Sequence, residues 1–93
     1  MKLDTDQVRH VAAVTGVEPV PETTIAHDHL KTHFGEDTFY LDSEGAYVWE
    51  PADDSEGFAI KLEAFQIASW ANRERTQLLK EEPKLKGVQV RLD

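Results

Sequence analysis

The chain has 93 residues, no cysteine and a formal net charge of −8. This length fits one domain, the lack of cysteine excludes disulfides and thiolate metal sites, and the acidic balance argues against direct binding to nucleic acid. No run approaches the ~18 apolar residues of a membrane-spanning helix, and the first residues lack the apolar core of a signal peptide. We therefore expect residues 1–93 to form one small cytoplasmic domain with no membrane partner and no cofactor.

The first predicted element is a helix that begins after Asp4. Asp4 and Gln7 have the spacing of a capping box, and Leu3 and Val8 have the spacing of the hydrophobic staple that accompanies it. Gly16 suits the position just past the end of this helix, because glycine adopts left-handed backbone angles without strain. A linker with two prolines follows, and it cannot be helical throughout.

A second helix is predicted from Pro21 to Phe34. Proline is favoured at the first position of a helix, and Gly35 follows the last predicted turn. At about 100° per residue, Ile25 and Leu30 lie on the side that faces the core. His29 and His33 fall within the same arc.

The next segment is predicted to be a β-hairpin. Residues 38–42 and 46–50 flank the turn sequence Ser-Glu-Gly at 43–45. We expect Asp42 to pair with Ala46 across this turn. This register places four large side chains on one side of the sheet and two on the other: Phe39, Leu41, Tyr47 and Trp49 against Tyr40 and Val48.

The second half of the chain is predicted to give strand, helix and strand. Residues 58–62 and 88–92 alternate apolar with polar residues, as half-buried strands do. Residues 65–71 fit either a strand that continues after a bulge or the start of a helix. Residues 72–82 are predicted to be helical, with Asn72 as the N-cap and Pro83 as the stop.

These elements together predict an α+β fold with the order α-α-β-β-β-α-β. Three sequential strands favour an antiparallel meander, and the last helix would return the chain so that strand four runs parallel to a neighbour. The helices would then cover one face of the sheet. The predicted core of that face has ten members: Phe39, Leu41, Tyr47, Trp49, Phe58, Ile60, Leu62, Val88, Val90 and Leu92.

The most informative feature of the sequence is an acidic block at residues 36–57. It holds eight carboxylates and no lysine or arginine, so it accounts for the whole net charge of −8. It also contains four of the chain's aromatic residues. A patch of this composition attracts a basic partner or a cation.

The leading functional hypothesis is a small cytosolic binding or regulatory module that contacts a protein with a basic surface. The proposed contact residues all belong to the acidic block: Tyr40, Asp42, Glu44, Glu50, Asp53, Asp54 and Glu56. An alternative is that the block imitates the phosphate backbone of a nucleic acid. The chain lacks the glycine-rich phosphate loop and the nucleophile elbow of common enzymes, so the sequence leans against an enzyme.

A second alternative is a small metal-binding protein. His29 and His33 lie four residues apart on one helix face, a spacing that suits two ligands of one metal ion. Glu74 could complete a set of two histidines and one carboxylate. The competing interpretations are boundary histidines bonded to the backbone, and a Glu74 that stabilises the first turn of a helix.

Overall fold

The computed structural model describes residues 1–52 and 61–92, and within them it shows two helices and one four-stranded antiparallel sheet. The elements follow in chain order: α1 (Thr5–Thr15), α2 (Ile25–Phe34), β1 (Tyr40–Leu41), β2 (Gly45–Pro51), β3 (Lys61–Trp70) and β4 (Leu78–Arg91). The strands are neighbours in the same order as in the sequence. The predicted α+β class is confirmed. No described helix has the length and apolar content needed to cross a membrane.

The boundaries of α1 are the ones that its capping residues predict. The Asp4 carboxylate accepts a hydrogen bond from the Gln7 N–H at 2.8 Å, and the Gln7 side chain accepts one from the Asp4 N–H at 2.9 Å. Gly16 has φ 74° and donates its N–H to the Ala12 carbonyl at 2.8 Å. Val11, on the inner side of the helix, is fully buried.

Helix α2 begins later than predicted, because Thr24 rather than Pro21 marks its start. The Thr24 hydroxyl accepts the N–H of His27 at 3.2 Å and so satisfies one of the free donors at the helix start. The helix ends at Phe34, as predicted, and the Gly35 N–H closes the last turn on the Lys31 carbonyl at 2.8 Å.

The predicted helix at 72–82 is wrong. Residues 78–91 form the strand β4, which pairs antiparallel with β3, so the expected crossover to a parallel strand does not exist either. Asn72 caps a turn instead of a helix: its side-chain oxygen accepts the Thr76 N–H at 3.0 Å. The stretch is rich in good helix formers, but pairing along the whole of β3 outweighs that local preference.

Residues 65–70 belong to β3, as one sequence interpretation expects, but the bulge of this strand lies at Ile67 and not between Leu62 and Phe65. The pairing of β2 with β3 shifts by one residue around Ile67. The pairing of β3 with β4 shifts twice, so that β4 carries extra residues at 81–83 and 86–88. Pro83 therefore lies in an irregular part of an edge strand, where a missing N–H is tolerated.

The first hairpin forms with a register one residue away from the predicted one. Leu41 pairs with Ala46, and Tyr40 pairs with Tyr47. The turn is therefore one residue longer, and the Asp42 carboxylate accepts the N–H groups of Glu44 and Gly45 within it. A slip of one residue moves every side chain of a strand to the opposite face.

The two helices pack on opposite faces of the sheet, and the shifted register gives each face large side chains to bury. The prediction that the helices share one face is therefore wrong. On the α1 face the buried residues are Leu3, Val11, Tyr40, Tyr47, Trp49, Leu62, Ala64 and Val90. On the α2 face they are Leu30, Phe39, Ala46, Val48, Ile67 and Ala68. Of the predicted ten-residue core, Val88 is 44% exposed, and Phe58 and Ile60 lie outside the described residues.

Gly45 is needed where β2 passes β3. Its φ is 149°, and a Cβ at this position would overlap the carbonyl oxygen of Ala68 and come within 2.7 Å of the Ser69 Cα. Both contacts are backbone atoms, so they cannot move aside as a flexible side chain would. Gly87 also has a positive φ, of 78°, but nothing lies within 4 Å of its missing Cβ.

We expect Gly45→Ala to lower the free energy of unfolding by about 3 kcal/mol or more, because backbone strain and a steric clash combine there. Gly87→Ala is the matched control and should cost only the strain, about 1 kcal/mol. Urea denaturation of both variants measures the difference. Equal costs would contradict the close approach of β2 to β3.

Candidate functional site: the acidic block and a groove beside α2

The described carboxylates of the acidic block are paired within the molecule. Glu36 lies 2.7 Å from the Lys31 ammonium, and the hydrogen bond from Lys31 holds the pKa of the Glu36 carboxyl below its ordinary value. The amino group of Met1 lies 2.8 Å from Asp37 and 2.7 Å from Glu50. Cations from outside the block thus approach three of its carboxylates.

Lys86 supplies the cation for the tip of the hairpin. Its Nζ lies 2.7 Å from the Asp42 carboxylate and 3.1 Å from that of Glu44. It also lies 5.2 Å from the centre of the Tyr47 ring, within the range of a cation–π contact. The Lys86 side chain is only 12% exposed, although most of its strand is exposed.

The pKa values of this ion pair shift in the directions expected for mutual stabilisation. Burial acts most strongly on the Asp42 carboxyl and would raise its pKa, but hydrogen bonds from Lys86 and from two backbone N–H groups together lower it below 3.8. Burial likewise opposes the charged form of Lys86, yet the two carboxylates raise its pKa above 10.5. Both groups are therefore held in their charged forms at neutral pH.

Three of the proposed contact residues, Asp53, Asp54 and Glu56, lie outside the described residues. Tyr40 has 0% exposure, so its side chain does not reach a partner at the surface. Its ring stacks on Tyr47 with centroids 5.4 Å apart, and its hydroxyl has no hydrogen-bond partner within the described part of the chain. Burial raises the pKa of Tyr40 to about 12.

The histidines occupy different positions from those expected. His27 is the buried one, at 6% exposure, with its ring edge-on to Phe39 at 5.5 Å. His29 and His33 are exposed, and Glu74 is exposed in the β3–β4 turn. Across residues 1–52 and 61–92, no three His, Asp or Glu side chains lie close enough together to hold a metal ion.

Beside α2 the structure forms a groove of about 680 Å³ that the sequence did not reveal. One wall is the side of α2 that carries Ile25, His29 and His33, the other is the turn between β3 and β4, and the floor belongs to the α2 face of the sheet. Its lining residues are Ile25, Ala26, His29, Leu30, His33, Phe34, Leu41, Ala68, Trp70, Arg75, Thr76, Gln77, Leu78 and Lys80. The groove depends on the β3–β4 hairpin, and the sequence pattern predicted a helix at 72–82 in place of that hairpin.

Fixed aromatic side chains shape this groove. The Trp70 indole N–H donates to the Asp42 carbonyl at 2.7 Å, so one edge of the ring is anchored while the side chain remains half-buried. The ammonium of Lys80 lies 5.5 Å from the centre of the Phe34 ring. An aromatic surface held in place in this way loses little conformational freedom when a ligand covers it.

The charges of the groove are opposite to those of the chain. Arg75 and Lys80 are its permanently charged members, His29 and His33 are basic, and no carboxylate is among the lining residues that the structure describes. Neither Arg75 nor Lys80 forms an ion pair with a described residue. In a chain with a net charge of −8, this is a local cationic site.

The edge of β4 is a second surface, but its irregularity protects it from pairing with other strands. Leu79, Leu85 and Val88 are 59%, 53% and 44% exposed along this edge. The bulges at 81–83 and 86–88 interrupt the strand, and Pro83 removes a donor. Such features are typical of edges that avoid the addition of a further strand.

Comparison with known proteins adds no functional assignment, because no family model, curated protein or solved structure matches this chain. The functional argument therefore depends on the geometry of the groove and of the acidic block.

We expect Lys86→Met to lower the free energy of unfolding by about 1–2 kcal/mol at pH 7, since two charged hydrogen bonds are lost. The lowered pKa of Asp42 stabilises the fold above its ordinary value of 3.8, and this contribution is lost as the pH falls through the folded-state pKa. The difference from the native chain should therefore shrink in acid. Lys84→Met, at an exposed position without a described ion pair, is the control and should change little.

We expect Tyr40→Phe to have almost the stability of the native chain at pH 7 and to exceed it at high pH. The folded chain keeps the Tyr40 phenol neutral to a higher pH than the unfolded chain does, because its pKa is raised to about 12 in the fold. The free energy of unfolding is therefore unaffected below pH 10 and falls as the pH rises toward about 12. The gap between the two chains should reach about 2 kcal/mol across this range. Chemical denaturation at pH 7, 10 and 11.5 measures it, and parallel pH profiles would contradict the burial of the hydroxyl.

Proposed function

We propose that this chain is a small protein-binding module that acts through contact, and that its contact surface is the groove beside α2. The observation that carries the proposal is the groove itself: half-buried aromatic and aliphatic side chains form its floor and remain open to solvent. Trp70, Phe34 and Leu78 contribute to that surface. Exposed aromatic residues in a concave site are typical of the positions that contribute most to binding energy.

The coverage of the sheet supports a partner at this face. Helix α2 has ten residues and reaches only part of the face, and a second depression of about 370 Å³ lies on the other side of Phe34. Ile25, on the groove wall, is 77% exposed, the largest exposure among the large apolar residues that the structure describes. Apolar surface of this kind around a groove marks an interaction site.

The acidic block is the weaker candidate for a protein contact. A basic partner at Asp42 or Glu44 would have to displace Lys86, and one at Asp37 or Glu50 would have to displace the amino group of Met1. Each exchange replaces one ion pair with another, so the net gain is small.

A pair of matched variants tests the proposal. Ile25→Asp places a charge on the groove wall, and Val14→Asp places the same charge on α1, where the side chain is 58% exposed. The unmodified chain is used to capture proteins from the native host, and these proteins are purified. Calorimetry then measures how tightly each one binds the native chain and the two variants. We expect Ile25→Asp to weaken direct binding by about tenfold or more and Val14→Asp to leave it unchanged.

Equal binding by the native chain and Ile25→Asp would overturn the groove as the contact surface. Loss of binding in both variants would point to a general effect of added negative charge and would also overturn it. Circular dichroism of both variants checks that they fold.

A further inference from the structure

We infer that the segment bound by the groove is acidic and apolar: it carries carboxylates beside at least one large apolar side chain. The inference rests on the proposed function and names the chemistry of its partner. It also reverses the expectation from the sequence, in which the acidic block points to a basic partner. The charges and contacts around the groove carry the argument.

Both walls of the groove carry side chains that can donate hydrogen bonds to a carboxylate. His29 and His33 project from α2, while Arg75 and Lys80 belong to the β3–β4 hairpin. The same two elements carry five described acids, and none of them lines the groove: Asp28, Glu63, Glu74, Glu81 and Glu82. A segment lying between the walls therefore meets the positive charges of Arg75 and Lys80 on one side and imidazole N–H groups on the other.

The backbone of Arg75 is held in a defined turn beside the groove. Its backbone has φ 58°, an uncommon value for a residue with a side chain, and its N–H donates to the Asn72 carbonyl at 3.3 Å. The Asn72 side chain fixes the same turn through the Thr76 N–H. The turn thus fixes the backbone from which the Arg75 side chain extends, and a planar guanidinium matches a carboxylate through paired hydrogen bonds.

The floor selects the apolar part of the segment. Leu41, Trp70 and Leu78 are each half-buried and lie between the two walls. A large apolar side chain of the partner would cover them, while flanking carboxylates reach Lys80 and Arg75. The site is open to solvent along its exposed walls, which favours a stretch of polypeptide over a small molecule that needs enclosure.

The β4 strand offers a closely matched pair of variants. Lys80 pairs with Ala68 and lines the groove, whereas Lys84 pairs with Gln66, whose side chain lies on the α1 face. Both lysines are exposed. Lys80→Glu and Lys84→Glu therefore change the net charge equally and differ in whether the groove is affected.

The experiment selects ligands from a displayed library of random nine-residue peptides, with the native chain as bait. We expect the selected peptides to be enriched in Asp and Glu next to Trp, Phe or Leu. Titration of one such peptide should shift the amide signals of Ala68 and Leu78 and the indole signal of Trp70 in NMR spectra. Lys80→Glu should weaken its binding by about tenfold, and Lys84→Glu by less than about twofold.

Each other outcome overturns the inference in a different way. Selection of basic peptides that still shift Trp70 would refute the acidic partner and leave the proposed binding groove standing. Failure to select any peptide, together with groove shifts on adding decanoate, would make the site one for small amphipathic anions and would refute both proposals. Equal weakening by Lys80→Glu and Lys84→Glu would show that net charge causes the loss of binding and that the groove does not, which would refute the inference.

Discussion

The fold depends on a central strand that is buried on both sides. Every residue of β2 from Gly45 to Trp49 is buried, although successive side chains of a strand point to opposite faces. Neither face of the sheet can therefore remain open at this strand. One helix must cover Tyr47 and Trp49, and the other must cover Ala46 and Val48, which fixes α1 and α2 on opposite faces.

This constraint is visible in the sequence in a form that alternation rules miss. Residues 46–49 are a continuous apolar run, which is typical of a strand covered on both faces, whereas an alternating pattern predicts one solvated face. The capping residues of α1 were sufficient to predict its ends, because Asp4, Gln7 and Gly16 act on adjacent backbone groups. Local chemistry was enough there, and nothing distant competed with it.

The parts that sequence reasoning did not predict depend on contacts between distant residues. Residues 72–82 have the composition of a helix, and only the presence of β3 as a partner turns part of them into a strand. The register of the first hairpin depends on the Asp42 carboxylate, which organises a longer turn by accepting two backbone N–H groups. The groove could not be predicted, since one of its walls is the hairpin that the predicted helix replaced.

The sequence and the structure also differ in which charged side chains are free to bind a partner of opposite charge. In the sequence the acidic block contains no lysine or arginine. In the structure Lys86, from the opposite edge of the sheet, lies against Asp42 and Glu44. The groove, by contrast, draws its basic residues from two separate elements and leaves them without described carboxylate partners. Of these two surfaces, the groove is therefore the one whose charged side chains, Arg75 and Lys80, have no described partner of opposite charge.

Asp42 connects these two surfaces. Its carboxylate binds Lys86, while its backbone carbonyl accepts the indole N–H of Trp70 on the groove floor. A change in the acidic turn that moves this backbone would also move an aromatic ring of the groove. Weaker partner binding after substitution of Asp42 would thus not by itself identify the acidic block as the contact surface. Substitutions such as Lys80→Glu change the groove without altering that turn. They therefore separate the effect of a lost charge from the effect of a displaced Trp70 ring.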